Sequence, residues 1–369
     1  MKPTLLERRA QKLHLATGIP WAQALKRSRE LVPSAPLIPN AQPSQAVLES
    51  CLLNGIAWPQ SDPRNPWGIR FLEPRPDSLI VTFEEQQRGA HDGSLTQDLI
   101  QAVIPRFDEY GEVHGIPGAR VTVHGEGVLI RRIGKPGSVI IRGVSAEDWT
   151  AALAVQQEAN DKHGMTYCHD LSPHEWHRTE LPYREPREDT TSGRHHRKMV
   201  TSAWLASGLL RRAPLLRTIG VPLSTTAWTN PARNGGCSWI IEYIHEPRVQ
   251  EPLHHHGFIN LLTDPECGLP ITTTALRCHC HWLPESYSVC WFDARGVNGR
   301  LGTLQVRFSR RSGDKLEDYA DEPEDYHARR KLYRQIPSHL MWRSTTRTAG
   351  TSRGGGCPAD AYNRRHASS

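Results

Sequence analysis

Two glycine-rich connectors between short apolar runs constrain the fold of this chain more than any other feature. The runs lie at residues 120–124, 128–133 and 138–142, and their apolar positions alternate as in half-buried strands. Gly125-Glu126-Gly127 joins the first two, and Gly134-Lys135-Pro136-Gly137 joins the last two. Glycine adopts the positive φ angles that tight hairpin turns need, so this stretch predicts a three-stranded β-meander.

The rest of the chain predicts an α+β protein built from several parts. Gly18 and Pro20 separate two helical segments, and prolines are dense between Val32 and Pro43. The predicted order is a helical hairpin (1–32), a Pro-rich linker (33–46), a small α+β domain with the meander (47–164), a polar linker (165–197), a larger antiparallel-sheet α+β domain (198–342) and a disordered tail (343–369).

Six strand-like runs predict the sheet of the larger domain. Each combines β-branched or aromatic residues with flanking turn residues. The runs are Leu223–Trp228, Ser238–His245, Leu253–Leu262, Ile271–Cys280, Ser288–Asp293 and Gly302–Ser309.

The basic residues of the chain are mostly arginine. The 45 basic residues exceed the 39 acidic ones, which gives a net charge of +6, and only eight of the basic residues are lysine. Arginine makes forked hydrogen bonds to phosphate and stacks on bases, so this composition favours a nucleic-acid partner. The alternative is a GC-rich genome, whose codons favour arginine regardless of function.

The lack of recognisable targeting signals and the pattern of cysteines predict a cytoplasmic protein. Residues 1–30 are charged throughout and lack the apolar core of a secretory signal. No run of about 18 apolar residues predicts a membrane span. The eight cysteines are unevenly spread and do not resemble a disulfide framework, which favours reduced thiols.

Three consecutive histidines, His254, His255 and His256, are the main candidate for a metal site. On a strand, His254 and His256 would share one face, about 7 Å apart. Glu242 lies in phase with apolar neighbours on the preceding predicted strand, where a carboxylate is costly unless it is paired or binds a metal. His254, His256 and Glu242 are therefore the predicted metal ligands.

The order of these elements resembles the metal motif of the HUH endonucleases, a family of rolling-circle replication initiators and relaxases. The resemblance covers at most residues 200–336 and includes the Thr-rich run Pro222-Leu223-Ser224-Thr225-Thr226. It implies that the two histidines hold a divalent metal (Mn²⁺ or Mg²⁺) that polarises a phosphate of single-stranded DNA. It also implies a nucleophilic tyrosine, for which Tyr326 and Tyr333 are the candidates, and a DNA-nicking or replication-initiation role in a mobile element.

Two other interpretations of this region remain open. A structural zinc site is the first, with Cys267, Cys278, Cys280, Cys290, His279 and His281 as potential ligands, although the spacing departs from paired zinc motifs. In that case the protein would be a non-enzymatic DNA-binding or interaction protein. The second is that the histidines are exposed and bind nothing, and that the basic charge is compositional.

Overall fold

The structure is a computed structural model that describes residues 3–58, 63–84, 94–124, 127–184, 191–220, 222–232, 235–245, 254–278 and 289–310. Within these ranges the protein combines α-helices with three β-sheets, which confirms the predicted α+β class. In this part of the chain no helix is long and apolar enough to cross a membrane.

Helices occur along the whole described chain, most densely in its first third and around residue 200. The α-helices are α1 Leu5–Thr17, α2 Trp21–Glu30, α3 Pro43–Ile56, α4 Leu95–Val103, α5 Ala146–Lys162, α6 Cys168–Leu171, α7 Leu181–Arg184, α8 Thr191–Thr201, α9 Ala203–Leu210 and α10 His255–Leu262. Two short 3₁₀ helices span Pro66–Gly68 and Ala213–Thr218.

The helical hairpin at the N-terminus is confirmed, with its ends at the predicted residues. Thr4 and Glu7 form a capping box that satisfies backbone N–H groups at the start of α1. Gly18 ends α1 with a φ of 73°, a left-handed conformation that glycine adopts without strain. Pro20 then precedes the first residue of α2, Trp21.

The first sheet contains the predicted meander. Its strands are β1 Ile69–Pro74, β2 Ser78–Phe83, β5 Ala119–His124, β6 Gly127–Arg132 and β7 Ser138–Arg142. The order is β1-β2-β7-β6-β5: the meander β5-β6-β7 is antiparallel as predicted, and β2 joins it parallel to β7. The Gly127 Cβ position would lie 2.1 Å from the Ile141 carbonyl oxygen, so only glycine fits where these strands begin to pair.

The stretch 165–197, predicted as a polar linker, is packed on the first half of the chain in its described part. Strand β8 (Thr166–Tyr167) pairs with β3 (Arg106–Phe107), which also pairs with β4 (Val113–His114). Glu180 is fully buried and accepts a 2.9 Å hydrogen bond from Arg120 on β5. The linker assignment stays a prediction, and these contacts join the described part of this stretch to the first half of the chain.

The second sheet has five strands in the order β11-β12-β13-β10-β9. They are β9 Pro222–Pro231, β10 Cys237–His245, β11 Ile271–Arg277, β12 Val289–Gly296 and β13 Thr303–Arg310, at the positions of five of the six predicted runs. The sheet is mixed rather than antiparallel because β13 inserts between β10 and β12 and runs parallel to β10. Whether two strands run parallel or antiparallel depends on how the chain connects them. The alternation of residues within one strand carries no information about that connection.

The two larger sheets belong to one continuous hydrophobic core. Helix α3 packs on α9, and between them Glu49 and Arg211 form an ion pair that is almost completely buried, with a 2.7 Å contact. The Ser207 hydroxyl donates a 2.5 Å hydrogen bond to Glu49 as well. The predicted division into domains 47–164 and 198–342 stays a prediction, and these contacts tie the two stretches together.

Candidate functional site

The histidine triplet begins a helix, not a strand. His254 is the residue before α10, and His255 and His256 form its first turn. The predicted strand 253–262 was therefore wrong over its described residues. The buried positions His255, Phe258, Ile259 and Leu262 follow the i, i+3, i+4, i+7 spacing of a helix that faces a core.

This helical turn creates a different group of potential ligands from the predicted one. His255, His256 and Cys278 each offer one ligand atom, and these atoms all lie within 4.8 Å of one another. It is the one such group among the residues that the structure describes. The structure thus brings together a group that could hold a metal ion. Of the predicted ligands it contains His256, while His255 and Cys278 replace His254 and Glu242.

The distance between two of the three donor atoms is close to that expected around a tetrahedral metal. Cys278 Sγ lies 3.4 Å from His255 Nε2. Zn–S and Zn–N bonds of about 2.3 and 2.0–2.1 Å at tetrahedral angles place the two donor atoms about 3.6 Å apart. His255 is fully buried, and its ring lies 4.3 Å from that of His256 and 5.1 Å from that of Phe308. Packing therefore fixes the imidazole that faces Cys278.

The oxidation state of Cys278 decides whether it can be a ligand. Cys278 is disulfide-bonded in the structure, so its sulfur becomes a thiolate only after reduction. This disulfide departs from the predicted reduced thiols. The other described cysteines are free and buried: Cys51, Cys168, Cys237, Cys267 and Cys290.

Other predicted site residues are placed elsewhere or lie outside the described ranges. Glu242 is half-buried on the opposite face of the second sheet from Phe308, with Thr226 and Arg307 as its neighbours on the adjacent strands. Cys267 and Cys290 are buried and are not members of the ligand group. The candidates outside the described residues are His279, Cys280, His281, Tyr326 and Tyr333.

We name the face of the second sheet that carries Glu242 the outer face. It combines aromatic and charged side chains. The opposite face is apolar and buried, with residues such as Trp239, Ile241, Phe292, Val306 and Phe308. On the outer face, two tryptophans and two arginines lie on four of the five strands. Arg307 on β13, Trp291 on β12 and Arg277 on β11 are neighbours in register, whereas Trp228 lies on the edge strand β9, with Ile240 and Glu242 of β10 between it and β13.

Each arginine of this row lies over a tryptophan ring. The Arg307 guanidinium carbon lies 5.6 Å from the centre of Trp228, and that of Arg277 lies 4.9 Å from the centre of Trp291. Arg277 is exposed and the other three are partly exposed. The row therefore presents aromatic surfaces and positive charge together, in the geometry of cation–π pairs.

The outer face also contains two carboxylates. The side-chain amide nitrogen of Gln305 donates a 2.8 Å hydrogen bond to Asp293. The amide oxygen of Gln305 accepts a 2.6 Å hydrogen bond from Nε of Arg307. Glu242 and Arg307 are neighbours in register on parallel strands. The contact with Gln305 occupies the Nε of Arg307 and helps to orient its guanidinium across the sheet.

The outer-face residues were missed at the level of sequence. The signal that would have found them is the period-2 pattern within single strands, for example Val306-Arg307-Phe308 and Cys290-Trp291-Phe292-Asp293. This pattern predicts which residues share a face of one strand. The order of the strands decides which of them meet.

No protein-family model, no curated protein and no solved structure matches this chain. The site is therefore interpreted from its own geometry alone.

Proposed function

We propose that the protein binds single-stranded nucleic acid, with DNA as the expected form, across the outer face of the second sheet. The observation that carries this proposal is the row Trp228–Arg307–Trp291–Arg277. Unpaired bases stack on aromatic side chains, a contact that contributes about 1–3 kcal/mol per base. The arginines that lie against these rings supply the phosphate contacts that stacking alone lacks.

The size and charge of the face support a short strand as the ligand. Five strands at about 4.8 Å spacing give a width of about 19 Å, enough for several nucleotides. The two carboxylates repel phosphate, but Asp293 is hydrogen-bonded by Gln305, and Arg277, Arg295 and Arg307 outnumber them on this face. The net charge of +6 for the whole chain acts in the same direction.

The metal that fits the ligand group best is Zn²⁺ rather than Mn²⁺ or Mg²⁺. Two imidazole nitrogens and one thiolate are the donors that zinc prefers, whereas magnesium and manganese prefer oxygen. Cys278 directly follows Arg277, so a metal held by His255, His256 and Cys278 would tie the end of β11 to α10. We propose a structural role for it: holding Arg277 over Trp291.

Metal-dependent DNA nicking, which the HUH resemblance implies, is kept as a narrower proposal. The observation that favours it is that the ligand group lies at the end of the strand that carries Arg277. Tyr326→Phe and Tyr333→Phe variants, incubated with single-stranded DNA and metal, test it. Loss of a covalent protein–DNA adduct in one of them, with binding unchanged, supports nicking. Wild-type protein that forms no adduct with Mn²⁺, Mg²⁺ or Zn²⁺ excludes it.

Fluorescence anisotropy with a labelled 20-nucleotide oligothymidylate tests the binding proposal. We expect the single strand to bind at least about tenfold more tightly than a duplex of equal length, because only unpaired bases stack on the sheet. Contacts with about three phosphates predict a slope near −2 for log affinity against log salt. An RNA strand of the same length distinguishes the two nucleic acids. Equal binding of duplex and single strand contradicts the proposal.

Metal content after reduction tests the zinc proposal. We expect one Zn²⁺ per chain in protein treated with a phosphine reductant and dialysed against zinc, and less in protein kept oxidised, because a disulfide sulfur is not a thiolate ligand. His256→Ala should lose the metal. His254→Ala is the matched control, because His254 lies next to the group but outside it, and it should keep the metal.

A further inference from the structure

A cavity of about 320 Å³ lies between the first turns of α3, the start of α9 and the turn that joins β12 to β13. Its walls are mostly apolar and include Ala46 and Val47 of α3 and Trp204 of α9. Among the described residues that line it, three are arginines and none is acidic. Ligand pockets in proteins have volumes of about 300–1,000 Å³, so this one suits a molecule with one or two fused rings.

The turn between β12 and β13 places Arg300 at the rim of this cavity. Asn298 and Gly299 have φ angles of 56° and 73°, and the Arg300 N–H donates a 3.2 Å hydrogen bond to the Val297 carbonyl. Two central residues with positive φ define a type I′ turn, for which Asn-Gly is the favoured sequence. The position of Arg300 is therefore set by the sequence of the turn that precedes it.

Arg300 and Trp204 form one side of the cavity together. The Arg300 guanidinium carbon lies 5.2 Å from the centre of the Trp204 ring, and the indole N–H of Trp204 donates a 2.8 Å hydrogen bond to the Leu301 carbonyl. Arg300 is exposed and Trp204 is partly exposed. Among the described residues, no carboxylate pairs with Arg300. Its donors are therefore available to a ligand.

The two buried arginines of the lining differ in how their charges are balanced. Arg211 forms the ion pair with Glu49. Arg212 is 5% exposed and donates only to three backbone carbonyls, those of Gly208, Cys267 and Gly268. Burial lowers the pKa of Arg212 to about 10, so this side chain stays protonated at neutral pH. The cavity thus lies beside two positive charges, Arg212 and Arg300, that no described carboxylate neutralises.

This charge balance and the apolar walls define the chemistry of a complementary ligand. A buried charge is costly unless an opposite charge offsets it, so an anion in the cavity would stabilise Arg212 through the field and Arg300 by direct contact. A planar carboxylate matches the forked donors of a guanidinium. The rest of the ligand must be apolar, and an aromatic ring gains an additional contact with Trp204.

We propose that this cavity binds a small aromatic carboxylate, with its carboxylate on Arg300 and its ring against Trp204 and the apolar side chains of α3. None of the described lining residues lies on the outer face of the second sheet. The proposal therefore goes beyond the proposed function and does not depend on it.

Isothermal titration calorimetry with three probes tests this assignment. The probes are 2-naphthoate, the neutral 2-naphthalenemethanol and octanoate, a carboxylate without a ring. We expect naphthoate to bind about tenfold more tightly than naphthalenemethanol, because only the anion forms a charge-assisted hydrogen bond with Arg300. It should bind about 2- to 10-fold more tightly than octanoate, the value of one aromatic contact.

Arg300→Gln should reduce the affinity for naphthoate to that for naphthalenemethanol. Arg131→Gln is the matched control, because Arg131 is exposed on β6 and does not line the cavity. Thr201→Trp places a large ring at an exposed position of the lining and should block naphthoate binding. Neither substitution in the lining removes a buried side chain, so both variants should fold.

Four outcomes overturn the proposal. They are equal binding of naphthoate and naphthalenemethanol, octanoate that binds as tightly as naphthoate, naphthoate binding that persists in Thr201→Trp, and no binding of naphthoate to the wild type at about 1 mM. None of these results depends on whether DNA binds to the outer face, so the two proposals are tested separately.

Discussion

The two five-stranded sheets of this protein have similar sizes but different exposed faces. In the first sheet, the face away from the core presents Thr122, Leu129, Ile140 and the ion pair Glu73–Arg142, and its strands contain neither tryptophan nor tyrosine. The outer face of the second sheet presents Trp228 and Trp291 under arginines. Since the strands of the first sheet contain neither tryptophan nor tyrosine, sheet stability alone does not require such rings in the second. This contrast is the reason to assign the second face a ligand.

The largest expected effect comes from removing both tryptophans of the outer face. Trp228→Ala/Trp291→Ala should weaken binding of single-stranded DNA by about 2–6 kcal/mol, roughly 30-fold or more, because each ring stacks one base. The matched control is Leu129→Ala/Ile140→Ala on the first sheet. An equal loss of affinity in the control, measured by anisotropy, would remove the distinction between the two faces.

Metal removal should lower the stability of the folded protein through the link between β11 and α10. With reduced protein and zinc at a hundredfold excess over its dissociation constant, we expect about 2.7 kcal/mol of added stability against unfolding. His255→Ala should lose this gain, and His254→Ala should keep it. The measurement is a thermal melt with and without zinc. A gain that persists in His255→Ala would place the metal elsewhere.

A smaller effect is expected for single charges. Arg307→Gln should make the salt dependence of DNA binding less steep by about 0.7, the value for one phosphate contact on a single strand. Arg131→Gln removes an exposed arginine from β6 of the first sheet and should leave the slope unchanged. Equal slopes for wild type and Arg307→Gln would mean that Arg307 contacts no phosphate.

The smallest effect concerns Asp264, which precedes β11 and binds Lys12 of α1 at 2.7 Å. Burial opposes ionisation of this carboxyl, but hydrogen bonds from Lys12 and the Glu266 N–H outweigh it and hold its pKa below the ordinary value. Its stabilising contribution is therefore complete above pH about 4, the unfolded value, and is lost as the pH falls through the lower folded pKa.

We therefore expect Asp264→Asn to be less stable than wild type near neutral pH, by up to about 1 kcal/mol for a partly exposed pair. The difference should disappear at low pH. Denaturant unfolding at a series of pH values measures it. A difference that stays constant down to the acid limit would mean that the carboxylate charge is not what stabilises this contact.

Sequence patterns predicted the parts of the fold that depend on interactions between residues close together in the chain. Glycine turns fixed the register of the meander, and Gly18 and Pro20 fixed the ends of the helical hairpin. The strand prediction for the histidine triplet was wrong because the apolar ends of Leu253–Leu262 fit a helix equally well. The same residues contain a helical spacing, with His255, Phe258, Ile259 and Leu262 on the buried face of α10.

The candidate site was less predictable because it depends on contacts between distant residues. His255 meets Cys278 only because the chain returns along β11 beside α10. Trp228, Arg307, Trp291 and Arg277 lie on four strands whose order no single-strand pattern contains. Five of six strand positions were therefore predicted, while the row of side chains that the strands assemble was not.

The position of β13 has a consequence for how the protein is made. This strand is the last one of the second sheet in the chain, yet it lies between β10 and β12 and pairs with both. The first sheet has all its strands once Arg142 has been synthesised, whereas the second cannot close until Arg310 follows. At roughly 5–20 residues per second, the ribosome needs about 10–30 s for this interval. Once β10 and then β12 have been synthesised, each has an edge that stays unpaired until β13 follows, so a nascent chain that stalls before residue 303 has a specific reason to aggregate.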